Sequence, residues 1–268
     1  MKMQKNTYKT IVIFGALGFI GKHVCEYLAK NRCNLVLADI DKEGCANLAQ
    51  ELSKFDISIY YDACDITDES SLNSLLEGVN KTFHNIDSVI NCSTYSSGDT
   101  LSISAPFEDY DIKEWKRMLS VNLDGPFLIS KVFGAYMAKS GRGGSIIFLS
   151  SIYGFLGTDQ SIYESINTSE KRFNNPASYS ASKGGVISLA KYLASYWGKE
   201  NIRVNVLSLG GIYNDQEDKF VKNYSAKVPM ARMGSLEDLD GAIKFLLIED
   251  SKYLTGQNLI LDGGLSVW

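Results

Sequence analysis

The sequence predicts an α/β fold, a doubly wound parallel sheet with helices on both faces. Short apolar runs rich in Val, Ile and Leu alternate with stretches of helical period from Thr10 to Leu261. A glycine-punctuated turn, Gly15-Ala16-Leu17-Gly18-Phe19-Ile20-Gly21, separates the first run from the first helix. The chain has 268 residues, 45% hydrophobic and 22% charged, enough to bury a full core, and open sheets of this size are often one unit. A single domain over 1–268 is expected, without a linker, repeat or low-complexity segment.

Taken in order, Thr10 to Phe14 predicts a buried strand, Phe19 to Lys30 a helix, Asn34 to Ala38 a strand and Lys42 to Lys54 a helix. Ile57 to Tyr61, Ser70 to Phe83 and Ser88 to Asn91 continue the strand, helix, strand pattern. A long helix is expected over Ile112 to Lys139, a strand over Ser145 to Leu149 and, after a long loop, a helix from Tyr179 to Trp197. Ile202 to Leu207, Leu236 to Ile248 and Asn258 to Leu261 close the pattern as strand, helix and strand.

Composition excludes several classes of function. A net charge of −4 with no long single-sign run offers no basic footprint for nucleic acid or anionic lipid. The five cysteines, Cys25, Cys33, Cys45, Cys64 and Cys92, are odd in number and contain no C-x-x-C pair, which fits free thiols in a reducing compartment. With only His23 and His84, neither a zinc site nor a Ser-His-Asp triad has obvious members, and no metal is expected. Glycines break the apolar run after the basic Met1 to Lys9, which argues against a signal peptide, and no stretch reaches the ~18 apolar residues of a membrane span. A cytoplasmic protein is expected.

Two patterns carry chemistry. Tyr179 and Lys183 stand four residues apart at the start of an apolar helical run, so the lysine can lie beside the phenol. An adjacent ammonium and the positive end of the helix should both lower a phenol pKa that is ordinarily ~10, making Tyr179 a candidate general acid/base. The glycine turn is the second pattern. Gly15, Gly18 and Gly21 allow a sharp turn and close approach of a pyrophosphate, to which the amides of Phe19 and Ile20 at the helix start are offered. Asp39, at the end of the second strand, can accept from the adenosine ribose hydroxyls and would repel a 2′-phosphate, predicting NAD over NADP; the alternative is an ordinary strand-end turn beside Asp41.

To these are added Asp65-Ile66 after the third strand, Asn91 after the fourth, Asn122 in Ser120-Val121-Asn122, Ser150-Ser151 after the fifth, and Thr255-Gly256-Gln257 to Asp262-Gly263-Gly264 near the end. Over nearly its whole length the chain thereby resembles the single-domain branch of the short-chain dehydrogenase/reductases, with their Rossmann-type fold. The resemblance implies Tyr179 as acid/base, Lys183 on the nicotinamide ribose, Ser151 on the substrate oxygen and Asn122 on the water that relays protons through Lys183. It places Asp65 and Ile66 at the adenine, and Asn91 and Ile212 with the cofactor residues. Hydride would pass between nicotinamide and a carbinol carbon.

Some residues depart from the family pattern. The Gly15-x-x-Gly18-x-x-Gly21 spacing is the form of the extended branch, with its epimerases and dehydratases. Phe14 replaces the usual threonine, Cys92-Ser93-Thr94 the usual Asn-Ala-Gly, and Ser208-Leu209-Gly210 the usual Ser-Pro-Gly, while Asn214 stands where a threonine commonly meets the carboxamide. Between Ser151 and Tyr179 the chain is about twice as long as in single-domain relatives, an insertion over roughly 153–178. Tyr153, Gln160, Tyr163, Glu164, Asn174 and Asn175 there suit a polyhydroxylated ligand, or the segment is a solvated cover of the cleft. Ile152-Tyr153-Gly154, Ser161-Ile162-Tyr163-Glu164 and Pro176-Ala177-Ser178-Tyr179 also resemble reductases of bacterial surface-sugar and flagellin-glycan pathways, including legionaminic-type sugar acids, which points to a sugar or sugar-acid substrate.

The helices from Ile112 and Tyr179 carry more apolar and aromatic residues than one sheet face needs, so a homo-oligomer, dimer or tetramer, is expected. The leading reading is an NAD(H)-dependent ketoreductase or alcohol dehydrogenase. A nonredox epimerase or dehydratase that retains NAD, and a catalytically silent dinucleotide-binding scaffold, are the alternatives.

Overall fold

The computed structural model describes residues 9–97, 104–167, 173–247 and 251–268. Its strands are β1 (Thr10–Phe14), β2 (Asn34–Asp39), β3 (Ile59–Ala63), β4 (Ser88–Asn91), β5 (Gly144–Ser151), β6 (Ile202–Leu209) and β7 (Asn258–Leu261). They form one seven-stranded sheet in the order β3-β2-β1-β4-β5-β6-β7, and every neighbouring pair is parallel. The doubly wound architecture expected from the alternation is therefore present.

The central strands are apolar at consecutive positions because both faces are covered, and alternate residues go to opposite layers. Val12, Phe14, Val36, Ala38, Ile146, Phe148, Val204 and Val206 pack into one hydrophobic layer. Ile11, Ile13, Leu35, Leu37, Ile147, Leu149, Leu207 and Leu209 pack into the other. Helices α1 (Phe19–Lys30), α2 (Lys42–Leu52) and α9 (Asp238–Leu247) cover the second layer through Val24, Leu28, Leu48, Leu52, Leu239 and Ile243. On the first lie α3 (Glu69–Thr82), through Leu72, Leu75 and Val79, and α7 (Ala177–Trp197), through Val186, Ile187 and Ala190.

The long helix expected from Ile112 is broken. It runs as α4 (Ile112–Leu119), α5 (Gly125–Ile129) and α6 (Ala135–Ser140), joined by widened π turns at Ser120–Asp124 and Ser130–Gly134. Pro126 supplies the reason for the first turn. It has no N–H for the carbonyl four residues earlier, that of Asn122, so α-helical pairing fails there. The Ser130 hydroxyl, which donates to the Pro126 carbonyl at 2.7 Å, marks the second.

Other differences are smaller. β3 begins two residues later than expected because Ser58 N–H first donates to Asn34 Oδ1, 2.9 Å, closing the turn ahead of the ladder. β5 and β6 are longer than expected: Ser150 and Ser151 pair with Ser208 and Leu209, so the serine pair is the end of the strand rather than its following loop. The eight-residue helix α8 (Asp218–Ser225) was not anticipated; only Tyr224 of it is buried, too little for an apolar period to register. Among the described residues no helix is long and apolar enough to cross a membrane. Ile248, expected at the end of α9, lies outside the described residues.

The order of strands reverses between β1 and β4, where Phe14 stands opposite Asn91. At such a switch point the loops leaving the carboxyl ends diverge to opposite faces and open a crevice. Phe133, fully buried, fixes one wall by meeting Phe14 edge-on at 5.1 Å between centroids. Phe133→Ala should lower stability by about 3–5 kcal/mol, read as a fall in the urea midpoint with an unchanged slope.

Candidate active site

Four of the expected residues converge at the carboxyl end of β5. Ser151 ends the strand, and its oxygen accepts from the Tyr153 N–H at 3.2 Å, turning the chain out of the sheet. Tyr179 sits in the first turn of α7, and its phenol is hydrogen-bonded to the Ser151 hydroxyl. One turn on, Lys183 is 5% exposed and its Nζ lies 5.6 Å from the centre of the Tyr179 ring, as the i, i+4 spacing predicts. That ammonium donates to the Leu149 carbonyl at 3.2 Å, and the Ser150 hydroxyl donates to the Lys183 carbonyl at 3.0 Å. Helix and strand are thus tied by side chain to backbone in both directions.

Asn122 stands in the first π turn and is 2% exposed. Its Oδ1 accepts from Tyr95 N–H at 2.7 Å and from the Thr94 hydroxyl at 3.4 Å, and its Nδ2 donates to Ser182 Oγ at 3.3 Å. Ser182 in turn donates to the Tyr179 carbonyl at 2.8 Å. Both polar ends of the Asn122 side chain are therefore committed within the protein. Its main-chain carbonyl is released from α-helical pairing by Pro126, whose place four residues on is the sequence signal that this turn is special.

The electrostatics correct one expectation. Lys183 was expected to lower the Tyr179 pKa, but enclosure of the phenol pushes it up, with only the Ser151 hydrogen bond acting downward. The cause is visible in the geometry: the ammonium faces the ring and the Leu149 carbonyl rather than the phenol oxygen. Burial also weakens the lysine's own charge, bringing it down to about 8. Cys92 lies beside it, its thiol pushed up to about 12 by burial while Lys183 acts the other way. At neutral pH the set is a protonated phenol next to a mostly protonated ammonium.

The glycine turn fits a dinucleotide pyrophosphate. Gly15 has φ +71°, and a Cβ there would stand 2.6 Å from Ser93 N; a Cβ on Gly21 would stand 1.9 Å from the Gly15 carbonyl oxygen. At Gly18 the side is open, with only the Gly15 oxygen at 3.4 Å. The helix ends make the second argument. α2, α3 and α4 are capped by Asp41, Asp68 and Asp111, whereas α1 has no side-chain cap and no acid in its first turn. Its first amides, including those of Phe19, Ile20 and Gly21, are left for an anion. Asp39 Oδ2 accepts from Leu17 N–H at 3.0 Å, holding the carboxylate against the glycine turn.

The remaining expected residues divide. Asn91 is buried and accepts from Ser93 N–H at 3.1 Å, beside the glycine turn. Asp65 is exposed, its Oδ1 accepting from both Thr67 groups. The Ile66 side chain is 7% exposed and packs on Gly125 as core, so its backbone is what it can offer to a ligand. Ile212 is bridged to Gly234 after β6.

Within the insertion, Gln160, Asn174 and Asn175 tie the segment to itself and to Ser104 instead of standing free. Tyr153 is near Tyr179 and hydrogen-bonds Tyr163, whose ring packs on Phe173 at 4.9 Å and on Phe220 of α8 at 5.7 Å. The Glu164 side chain lies outside the described residues. The sequence reading missed Tyr95 and Glu114, which support Asn122, and Phe220 with Tyr224 on α8; none has a motif to mark it.

A family model described as enoyl-(acyl carrier protein) reductase matches residues 15–266. The chain belongs to the short-chain dehydrogenase/reductase family. It is 33% identical to the post-translational flagellin modification protein A of Campylobacter coli, over 96% of this chain and 97% of that one. It is 29% identical to the NADH-dependent L-xylulose reductase of Ambrosiozyma monospora, over 96% and 94%. A crystal structure of a short-chain dehydrogenase from Leptospira borgpetersenii with bound NAD+ superposes with a TM-score of 0.82 at 31% identity, covering 97% of this chain and 93% of that one. The chain is a dehydrogenase/reductase of a family that binds nicotinamide dinucleotides.

The depressed lysine is testable without a substrate. With lysine labelled at Cε, the Lys183 resonance, identified by its loss in Lys183→Arg, should titrate near pH 8, well below the ~10.4 of a lysine in a model peptide. A Lys183 midpoint above pH 10 would count against the buried cation.

Proposed function

We propose that this enzyme transfers a hydride between NAD(H) and a carbonyl or secondary alcohol carbon of a sugar-type substrate, with Tyr179 exchanging the proton on oxygen. The observation that carries this reading is the junction of Ser151, Tyr179 and Lys183 at the end of β5, one strand away from the switch-point crevice. Nicotinamide supplies the hydride when bound. In reduction, Ser151 orients the substrate oxygen and Tyr179, which its raised pKa keeps in the protonated form, donates to it. Lys183, with Asn122, would return the proton to the phenolate that remains. Asp65, Ile66, Asn91 and Ile212 complete the proposed cofactor set.

Asp39 supports NAD over NADP, because a carboxylate pinned at the glycine turn would repel a 2′-phosphate. The relative named for NADH-dependent reduction and the NAD+-bound structure agree with that preference. A polyhydroxylated substrate is supported by the phenols of Tyr153 and Tyr163 near Tyr179 and by the L-xylulose reductase relative. A homo-oligomer is supported by Phe127, Tyr192 and Tyr196, exposed by 52%, 65% and 64% along a groove of about 590 Å³ between α5, α6 and α7. Five free thiols suit a reducing compartment such as the cytoplasm.

Nicotinamide fluorescence titration should show NADH binding more tightly than NADPH, with the gap closing in Asp39→Ala; equal affinities in the unaltered enzyme would overturn the NAD assignment. With NADH and L-xylulose, ribulose or fructose, Tyr179→Phe should lose about 10³-fold in kcat while NADH affinity stays within a few-fold. Near-normal turnover by that variant would remove Tyr179 from the mechanism.

A further inference from the structure

Glu114 is a carboxylate on α4 that the proton-transfer set does not touch, yet its residue is only 7% exposed. Burying a carboxylate is costly unless its oxygens are satisfied. Here each is used once. Oε2 accepts from the Tyr95 hydroxyl at 2.9 Å, and Oε1 accepts from Arg117 at 2.6 Å. Tyr95 is therefore held at both ends: its phenol by Glu114, and its backbone N–H by the 2.7 Å bond it donates to Asn122 Oδ1. Asn122 passes the constraint on through Ser182 to the carbonyl of Tyr179.

The chain of contacts runs Arg117, Glu114, Tyr95, Asn122, Ser182, Tyr179, and it joins α4, the loop after β4, the π turn and the first turn of α7. Without that outer anchor, the direction of the Tyr95 amide would depend on its own bond to Asn122, on the longer Thr94 bond to the same oxygen and on local bonds such as Ser93 N–H to Asn91 Oδ1. An amide that wanders leaves the Asn122 carboxamide held only by its longer bonds to Thr94 and Ser182, at 3.4 and 3.3 Å, and so loosens the side chain that stands in the widened turn.

We propose that Glu114 is a positioning residue that acts through Tyr95 to fix Asn122 and the start of α7. This rests on the reading of Tyr179 and Asn122 given above. A charged acceptor suits the task because a hydrogen bond to a carboxylate is stronger than one between neutral groups.

Tyr95→Phe removes only the hydroxyl, Glu114→Ala removes the anchor, and Glu114→Gln keeps an acceptor. With NADH and L-xylulose, the first two should each lower kcat about tenfold, the effect expected of a lost hydrogen bond to a charged group, with NADH affinity unchanged within about twofold. Glu114→Gln should recover most of the loss. In an Asn122→Ala background the Tyr95→Phe effect should shrink to less than about twofold, because the residue it acts through is gone. Hydrogen exchange supplies an arm that needs no substrate: the Tyr95 amide should exchange at least about tenfold faster in Tyr95→Phe. An unchanged amide, a full-sized Tyr95→Phe loss in the Asn122→Ala background, or a loss confined to NADH affinity would overturn the proposal. If Glu114→Ala does not fold, Tyr95→Phe decides. If the unaltered enzyme reduces none of the ketoses, the reading of the reaction falls, and the exchange result alone decides the positioning role.

Discussion

The seating of α7 on the end of β5 is the contact on which the rest of the site depends. Three side chain bonds make it: Ser150 to the Lys183 carbonyl, Lys183 to the Leu149 carbonyl, and Ser151 to the Tyr179 phenol. The first two fix the helix in height and rotation against the strand, and the third is available only when both are right. The same rotation aims Val186, Ile187 and Ala190 at the hydrophobic layer under the sheet. Apolar burial and the polar junction therefore select one orientation of α7, which is the consistency between local and global preference that gives a single native state.

A buried ammonium is an expensive way to build such a junction, and that expense has a use. Burial holds Lys183 near the point at which it can give up a proton, while enclosure keeps the neighbouring phenol protonated. Burial thus drives the two groups apart, the phenol upward and the ammonium downward. An exposed Tyr-Lys pair one turn apart would have neither property; it would titrate several pH units above neutrality and exchange protons with solvent. The environment, more than the proximity of the two residues, sets the charge state of each, which is why the sequence argument placed the pair correctly and misjudged the direction of the tyrosine shift.

The legible parts of the chain were those in which one residue type answers one physical demand. Consecutive apolar residues in β1, β2 and β5 require cover on both faces, and glycine at 15 and 21 is required by a positive φ and by a 1.9 Å approach. The π turns were not legible, because the whole stretch is rich in apolar residues and the slip of one residue at each widened turn is lost in that pattern; Pro126 is the local mark of the first. Asp65 is assigned to the adenine by family resemblance alone: its local contacts, a carboxylate accepting from Thr67 in the turn before α3, are ones any Asp before a helix can make. Ile66 likewise packs in the core. Glu114 and Tyr95 could not be found at all, since a carboxylate at the start of an exposed-looking helix carries no sign that it is buried.

The insertion is tied to itself, to the start of α7 and to the segment after β6. Its polar residues are spent on its own shape: Gln160 with Asn175, Asn175 with Thr158, Asn174 with Ser104. Its aromatic residues turn the other way, Tyr163 packing on Phe220 of α8 and Asp159 pairing with Lys227 just beyond that helix. The segment after β5 and the segment after β6 thus brace each other, and the first also packs on the start of α7, where Gly154 leaves room for the Lys183 backbone and Thr158 hydrogen-bonds Ser180. Tyr153 is where the two systems meet. Its backbone N–H is bound to Ser151 and its phenol to Tyr163, so a shift of the outer wall reaches Ser151 through one residue, while Lys183 stays where its bond to the Leu149 carbonyl holds it.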